Sequence, residues 1–187
     1  MMKNCIFVLP LLLSMLRAQD VPPPPKPAGS SPSLEVTMKF IEENAGEGKL
    51  SYTAFVSDSS QSGVEWNNKF TVEISNLVAD ASACRISFHW RAQVNGQVSD
   101  DSDYKLNLKE VRDIIVLPQG QNQKQVDTRA GHPEWTSRIE PSLFTLVARR
   151  PRGVENAFLF SEEEMAGRVA KAMVHAVELC GGGKDPF

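Results

Sequence analysis

The chain has 187 residues, with 23 Asp and Glu against 20 Lys and Arg and a formal net charge of −3. That balance argues against a nucleic-acid-binding surface, which is normally basic. The length suits one domain with a sizeable core.

The N-terminus has the layout of a secretory signal peptide over residues 1–18. Lys3 supplies the positive end, Cys5–Leu16 is an apolar run broken by Pro10 and Ser14, and Arg17-Ala18 leads into Gln19-Asp20. Cleavage is expected after Ala18. An uncleaved anchor is the competing reading, but the run falls short of the roughly 20 apolar residues that a spanning helix needs. Cleavage leaves 18 basic against 23 acidic residues and moves the formal charge from −3 to −5. No later stretch is long and apolar enough to cross a membrane, so a secreted or periplasmic protein is expected. Residues 19–33, with Pro22–Pro25 in series and then Pro27, Gly29 and Pro32, read as a stiff, extended spacer. A single domain follows over 34–187.

Ser33 is placed to cap a short helix over Leu34–Asn44, with Leu34, Met38, Ile41 and Ala45 on one apolar stripe. A strand is the competing reading, because Val36, Met38 and Phe40 also alternate with polar residues. Leu50–Ser57 is a first strand, and Phe70, Val72 and Ile74 alternate as a half-buried second. The clearest alternation places Cys84, Ile86, Phe88, Trp90, Ala92 and Val94 on one face and Arg85, Ser87, His89, Arg91 and Gln93 on the other. Asn95-Gly96 then predicts a two-residue hairpin. Tyr104–Leu108, Val111–Leu117 and Leu143–Arg150 are further strands, with Val111–Leu117 pairing across the Lys109-Glu110 corner. Ala157–Phe160 passes into a helix over Glu162–Cys180, opened by a Ser161/Glu164 capping box and ended by Gly181-Gly182-Gly183.

About seven strands bracketed by a short and a long helix predict an α+β fold: a small antiparallel β-barrel or curled sheet with the last helix as its cover. Over residues 50–180 this order resembles the pleckstrin-homology and GRAM-like superfold, and the whole chain resembles small exported bacterial proteins without a described activity. Headgroup binding in the pleckstrin-homology family uses basic residues in the first hairpin loop. Here that loop carries Asp58 and Glu65 and no Lys or Arg before Lys69, so the resemblance implies a fold and no lipid ligand.

Cys84 and Cys180 both fall on inward stripes, and an exported chain with such a pair invites a structural disulfide. Two separately buried thiols remain the alternative. No Cys-x-x-Cys, His-Glu-x-x-His, serine nucleophile elbow or glycine-rich phosphate loop occurs, so no catalytic residue, metal or cofactor is predicted. His89 and His175 read as surface residues. Asp100, Asp101 and Asp103 read as a solvated turn, since they lack the ligand spacing of a calcium loop. Arg149, Arg150 and Arg152 read as a solvated hairpin turn.

The stretch Pro118–Ser142 reads as a long loop, and loops of that length are usually functional or disordered. Trp135 in its second half is a candidate binding anchor, with His132, Arg129 and Arg138 around it. The competing role for Trp135 is a plug at one end of the barrel. The expected function is therefore a non-catalytic exported binding or envelope-associated domain for an unknown protein or small ligand. A small hydrolase with a pocket near His132, Arg129 and Glu134 is the second reading, and a homodimer through a sheet edge or the first helix is a third.

Overall fold

The computed structural model describes residues 31–46, 48–61 and 63–183. The expected signal peptide and nearly all of the spacer lie outside the described residues. Within the domain, helix α1 (Leu34–Asn44) forms as its spacing predicts. The Ser33 hydroxyl accepts from the Val36 backbone N–H at 3.4 Å, and Met38, Ile41 and Ala45 are buried on one stripe.

Four strands then form a meander: β1 (Lys49–Asp58), β2 (Glu65–Asp80), β3 (Arg85–Val94) and β4 (Gln97–Asn107). In β1 the residues Tyr52, Ala54 and Val56 point inward, as Val72 and Ile74 do in β2 and Ile86 and Phe88 in β3. Asn95 and Gly96 both take positive φ, 52° and 82°, and turn β3 into β4 as the dipeptide predicts. β2 runs well beyond the expected segment, because a register shift between Ser75 and Val78 lets it continue past a bulge.

The expected barrel does not form. The chain builds two open antiparallel sheets, with strand orders β4-β3-β2-β1-β6 and β5-β7-β8. The divergence begins at the Lys109-Glu110 corner. A 3-10 turn at Leu108–Glu110 sinks Leu108 and Val111 into the core, and the chain leaves the first sheet there. The next strand, β5 (Asp113–Pro118), pairs with β7 (Phe144–Arg149) and not with β4. β8 (Glu155–Phe160) completes the second sheet on the other side of β7. β7 is buried continuously from Thr145 to Ala148, the pattern of a strand covered on both faces.

The expected loop 118–142 is also corrected. It holds a helix, α2 (Gln119–Arg129), and a strand, β6 (Trp135–Glu140), which pairs with β1. Among the described residues the two sheets thus hold eight strands, against the expected seven. α2 has no side-chain cap and no apolar stripe, and it is held by its surroundings. A side chain at Gly120 would place a Cβ 2.9 Å from the Ser137 carbonyl oxygen, so glycine lets the helix approach β6. The buried Gln119 amide donates to the Tyr52 hydroxyl at 3.2 Å, and its oxygen accepts from the Thr145 hydroxyl. One amide therefore links β1 of the first sheet to β7 of the second.

The last helix, α3 (Glu163–Leu179), packs on β5, β7 and β8 and against α1. Its N-cap residue is Glu162, whose own side chain makes no cap bond. Ala166, Val169, Met173, Ala176 and Val177 are buried and share a core with Ile86, Phe88, Leu106, Phe158 and Phe160. At its end Gly181 takes φ 77°, and the Gly181 and Gly182 N–H groups return to Glu178 and Val177. A Cβ on Gly182 would lie 2.4 Å from the Leu108 carbonyl oxygen, so the glycine run is also a packing requirement.

Cys84 and Cys180 form the expected disulfide, with Cα atoms 5.8 Å apart at a sequence separation of 96. Chain-entropy reasoning assigns such a closure about 4–5 kcal/mol. Among the described residues no helix is long and apolar enough to cross a membrane. Replacing both cysteines by alanine is expected to lower the unfolding free energy by about 3–5 kcal/mol, read from the denaturant midpoint. Equal midpoints for the oxidised protein and the double variant would contradict a stabilising bridge.

Candidate functional site

The sequence-predicted site residues occupy three separate places. After α2, Gly131 at φ 94° turns the chain, and the His132 N–H bonds the Asp127 carbonyl at 2.9 Å. The turn lays the His132 ring flat on Trp135, 3.8 Å between centroids and 7° between planes. Trp66 meets the same indole edge-on at 5.1 Å. Lys124 ties the segment down by donating to the Pro133 and Trp135 carbonyls. Trp135 is thus held between His132 and Trp66 at one end of the five-stranded sheet, half-buried, with its neighbours in place.

Asp58, opposite Trp135 in the ladder, is held below the ordinary carboxylate range. The Ser60 hydroxyl is the main cause, and the Trp135 indole adds to it against the opposing effect of burial.

Arg138 lies on the opposite face of β6 from Trp135, since successive strand residues alternate. Its guanidinium stands 4.3 Å over the Phe55 ring and pairs with Glu140. Arg129 is elsewhere again, forked onto Glu155 of β8 at 2.9 and 3.0 Å. The Arg149-Arg150-Arg152 turn is partly neutralised in the same way: Arg149 bonds Glu155 at 3.1 Å and Arg150 faces Glu110 at 3.6 Å. His132, Arg129 and Arg138 therefore do not converge on one point.

A different set of residues does converge. Where β3 and β4 of the first sheet face β8 of the second, a cleft of about 230 Å³ is lined by Phe88, Trp90, Asp100, Tyr104, Asn156 and others. Phe88 stacks on Tyr104 at 5.8 Å and leans on Phe158 at 5.0 Å, which fixes the aromatic wall. Asp100 shares the inward face of β4 with Tyr104 and Leu106. Its carboxylate accepts from the Tyr104 hydroxyl at 2.6 Å and from the Ser102 hydroxyl at 2.8 Å. These two donors, Tyr104 first, hold Asp100 below the ordinary carboxylate range, and Asp100 in turn pushes the Tyr104 phenol up.

Glu155 stands beside them. Burial pulls its pKa upward, but Arg129 and Arg149 outweigh this and leave it lowered. Asn156 follows on the same inward face as Phe158 and Phe160. It is 4% exposed, and its Oδ1 has no hydrogen-bond partner.

Sequence reasoning missed this cleft for identifiable reasons. The Asp100-Asp101-Ser102-Asp103 run reads as a turn when its acidity is weighed before its alternation with Tyr104 and Leu106. Asn156 precedes an obvious apolar run, yet its two-residue spacing from Phe158 marks a polar side chain on a core-facing stripe. Among the described residues no group of three or more His, Cys, Asp or Glu is placed to hold a metal ion. No known protein family, curated protein or solved structure matches the chain.

On the outer face of the same two strands, His89 is clamped between Asp101 at Nε2 and Asp103 at Nδ1, each at 2.9 Å. Both ring nitrogens can donate only in the imidazolium form. Its pKa is accordingly raised, by the Asp103 bond first and by Asp101 after it. A raised folded-state pKa contributes stability below the unfolded value of about 6.5 and loses it as pH rises through the folded value. His89→Gln is therefore expected to lower the melting temperature near pH 5.5 and to have no effect near pH 9. An equal loss at both pH values would contradict the charged clamp.

Proposed function

We propose that this chain is an exported, non-catalytic binding domain whose ligand site is the cleft between β3, β4 and β8. The observation that carries the reading is Asn156, a buried residue of the cleft's lining whose amide oxygen has no partner. Buried polar groups are almost always hydrogen-bonded, and an exception calls for a specific cause. An apolar cleft with a few converging polar groups is the usual form of a ligand site. At about 230 Å³ this one suits a small ligand.

Two further features support the rest of the proposal. The apolar run behind Lys3 and the Cys84–Cys180 bridge both fit an oxidising compartment outside the cytoplasm. The carboxylates at the cleft are fixed as anions, Asp100 by two hydroxyls and Glu155 by two guanidinium groups. Neither is poised near neutral pH for proton transfer, as a general acid or base would be.

Nuclear magnetic resonance of the oxidised protein against a small-fragment set tests the site. Bound fragments are expected to shift the Trp90 indole and the Asn156 side-chain amide. Tyr104→Ala and Trp90→Ala, each of which removes one wall, should abolish the Asn156 shift. Fragments that move only Trp135 and His132, or shifts that persist in both variants, would contradict the assignment.

A further inference from the structure

We infer that the cleft between β3, β4 and β8 takes a small organic ammonium cation, an inference that rests on reading that cleft as the ligand site. Its lining is acidic and aromatic, with Asp100 and Glu155 beside Phe88, Trp90 and Tyr104. Asp100 is an anion whose two hydrogen-bond donors, Tyr104 and Ser102, are neutral hydroxyls, and no cation lies within ion-pair distance of it among the described residues. The neighbouring Asp101 and Asp103 contrast with it, since both are matched to His89.

The Tyr104 proton is committed to Asp100, which leaves the phenol oxygen with acceptor capacity only. Asn156, whose amide oxygen has no partner, and the rings of Trp90 and Phe88 complete the lining.

The nearby positive charges do not offset this. Arg129 is bound in a fork to Glu155, and Arg149 is shared among Glu155, Asp113 and Gln125. An anionic ligand would meet Asp100 uncompensated, and a neutral one would leave its charge unused. A cation beside a carboxylate and over aromatic faces gains from both, which is the basis of quaternary-ammonium recognition. Asn156 supplies the observation independent of acidity: it is more than nine-tenths buried and lacks a partner for its oxygen.

The test titrates the oxidised protein with choline chloride, with the uncharged isostere 3,3-dimethyl-1-butanol, and with sodium chloride at matched ionic strength. The Trp90 indole and Tyr104 ring resonances are the readout. Choline is expected to saturate these shifts at concentrations about tenfold or more below the isostere, the size of a desolvated cation–π and carboxylate contribution. Asp100→Asn keeps an acceptor at the same place and should weaken choline about tenfold while leaving the isostere unchanged. Trp90→Leu should weaken choline in the same direction without depending on the Asp100–Tyr104 bond.

Equal affinity for choline and the isostere would overturn the cation inference and leave the cleft as a site for neutral ligands. Fragments and choline alike failing to shift Trp90 or Tyr104 would overturn both the inference and the reading beneath it.

Discussion

The structure depends on the inward face of β8. Phe158 and Phe160 are fully buried, and they face a core supplied by both sheets, α1 and α3. Burying two such rings stabilises a domain by several kcal/mol relative to leaving them exposed, on the order of 1.5–3 kcal/mol each. Neither sheet closes on itself, so each has an apolar face that requires a cover, and the β8 rings meet that requirement for both. Phe158 leans on Phe88 across the sheets, while α3 packs against β8 from its own side.

Two devices hold this arrangement at its ends. The Cys84–Cys180 bridge ties the turn before β3 to the end of α3, and Gly182 allows the chain to pass against the Leu108 carbonyl directly afterwards. At the other end, Gln119 spans from Tyr52 to Thr145. Between those fixed points, the β3–β4 hairpin and β8 approach without filling the space between them, and the cleft lies there. A cleft of this kind is a consequence of two open sheets, and a closed barrel would have replaced it with ladder hydrogen bonds.

Local patterning was readable where one residue spacing decides the structure. The β3 alternation, the Asn95-Gly96 turn, the α1 cap and the stripe of α3 all depend on neighbours within a few positions, and all are present. The cysteine pair was readable because both residues extend inward stripes, Cys84 in the turn just before β3 and Cys180 at the cap of α3. Strand partnership was not. The alternation of Val111–Leu117 says which face is buried but not which strand lies alongside, and the 3-10 turn that redirects it to β7 depends on tertiary burial of Leu108 and Val111. α2 was invisible for another reason: its Gln-rich sequence has no apolar stripe, and its contacts run through Gln119, Lys124 and Gly120 to distant residues. The candidate residues followed the same division. His132 and Trp135 do meet, being three apart across a turn, whereas Asp100 and Asn156 come together only through the packing of two sheets.

Asn156 states the functional account in one residue, because a polar side chain on an otherwise apolar stripe costs stability unless something binds it. The measurement that tests this most directly is the unfolding free energy of Asn156→Leu, a near-isosteric change that removes the unpartnered oxygen. If the amide is kept for a ligand, the ligand-free variant should be as stable as the native chain or more stable by about 1–3 kcal/mol. A loss greater than about 2 kcal/mol would contradict the account, since it would place the amide among the contacts that hold the fold together.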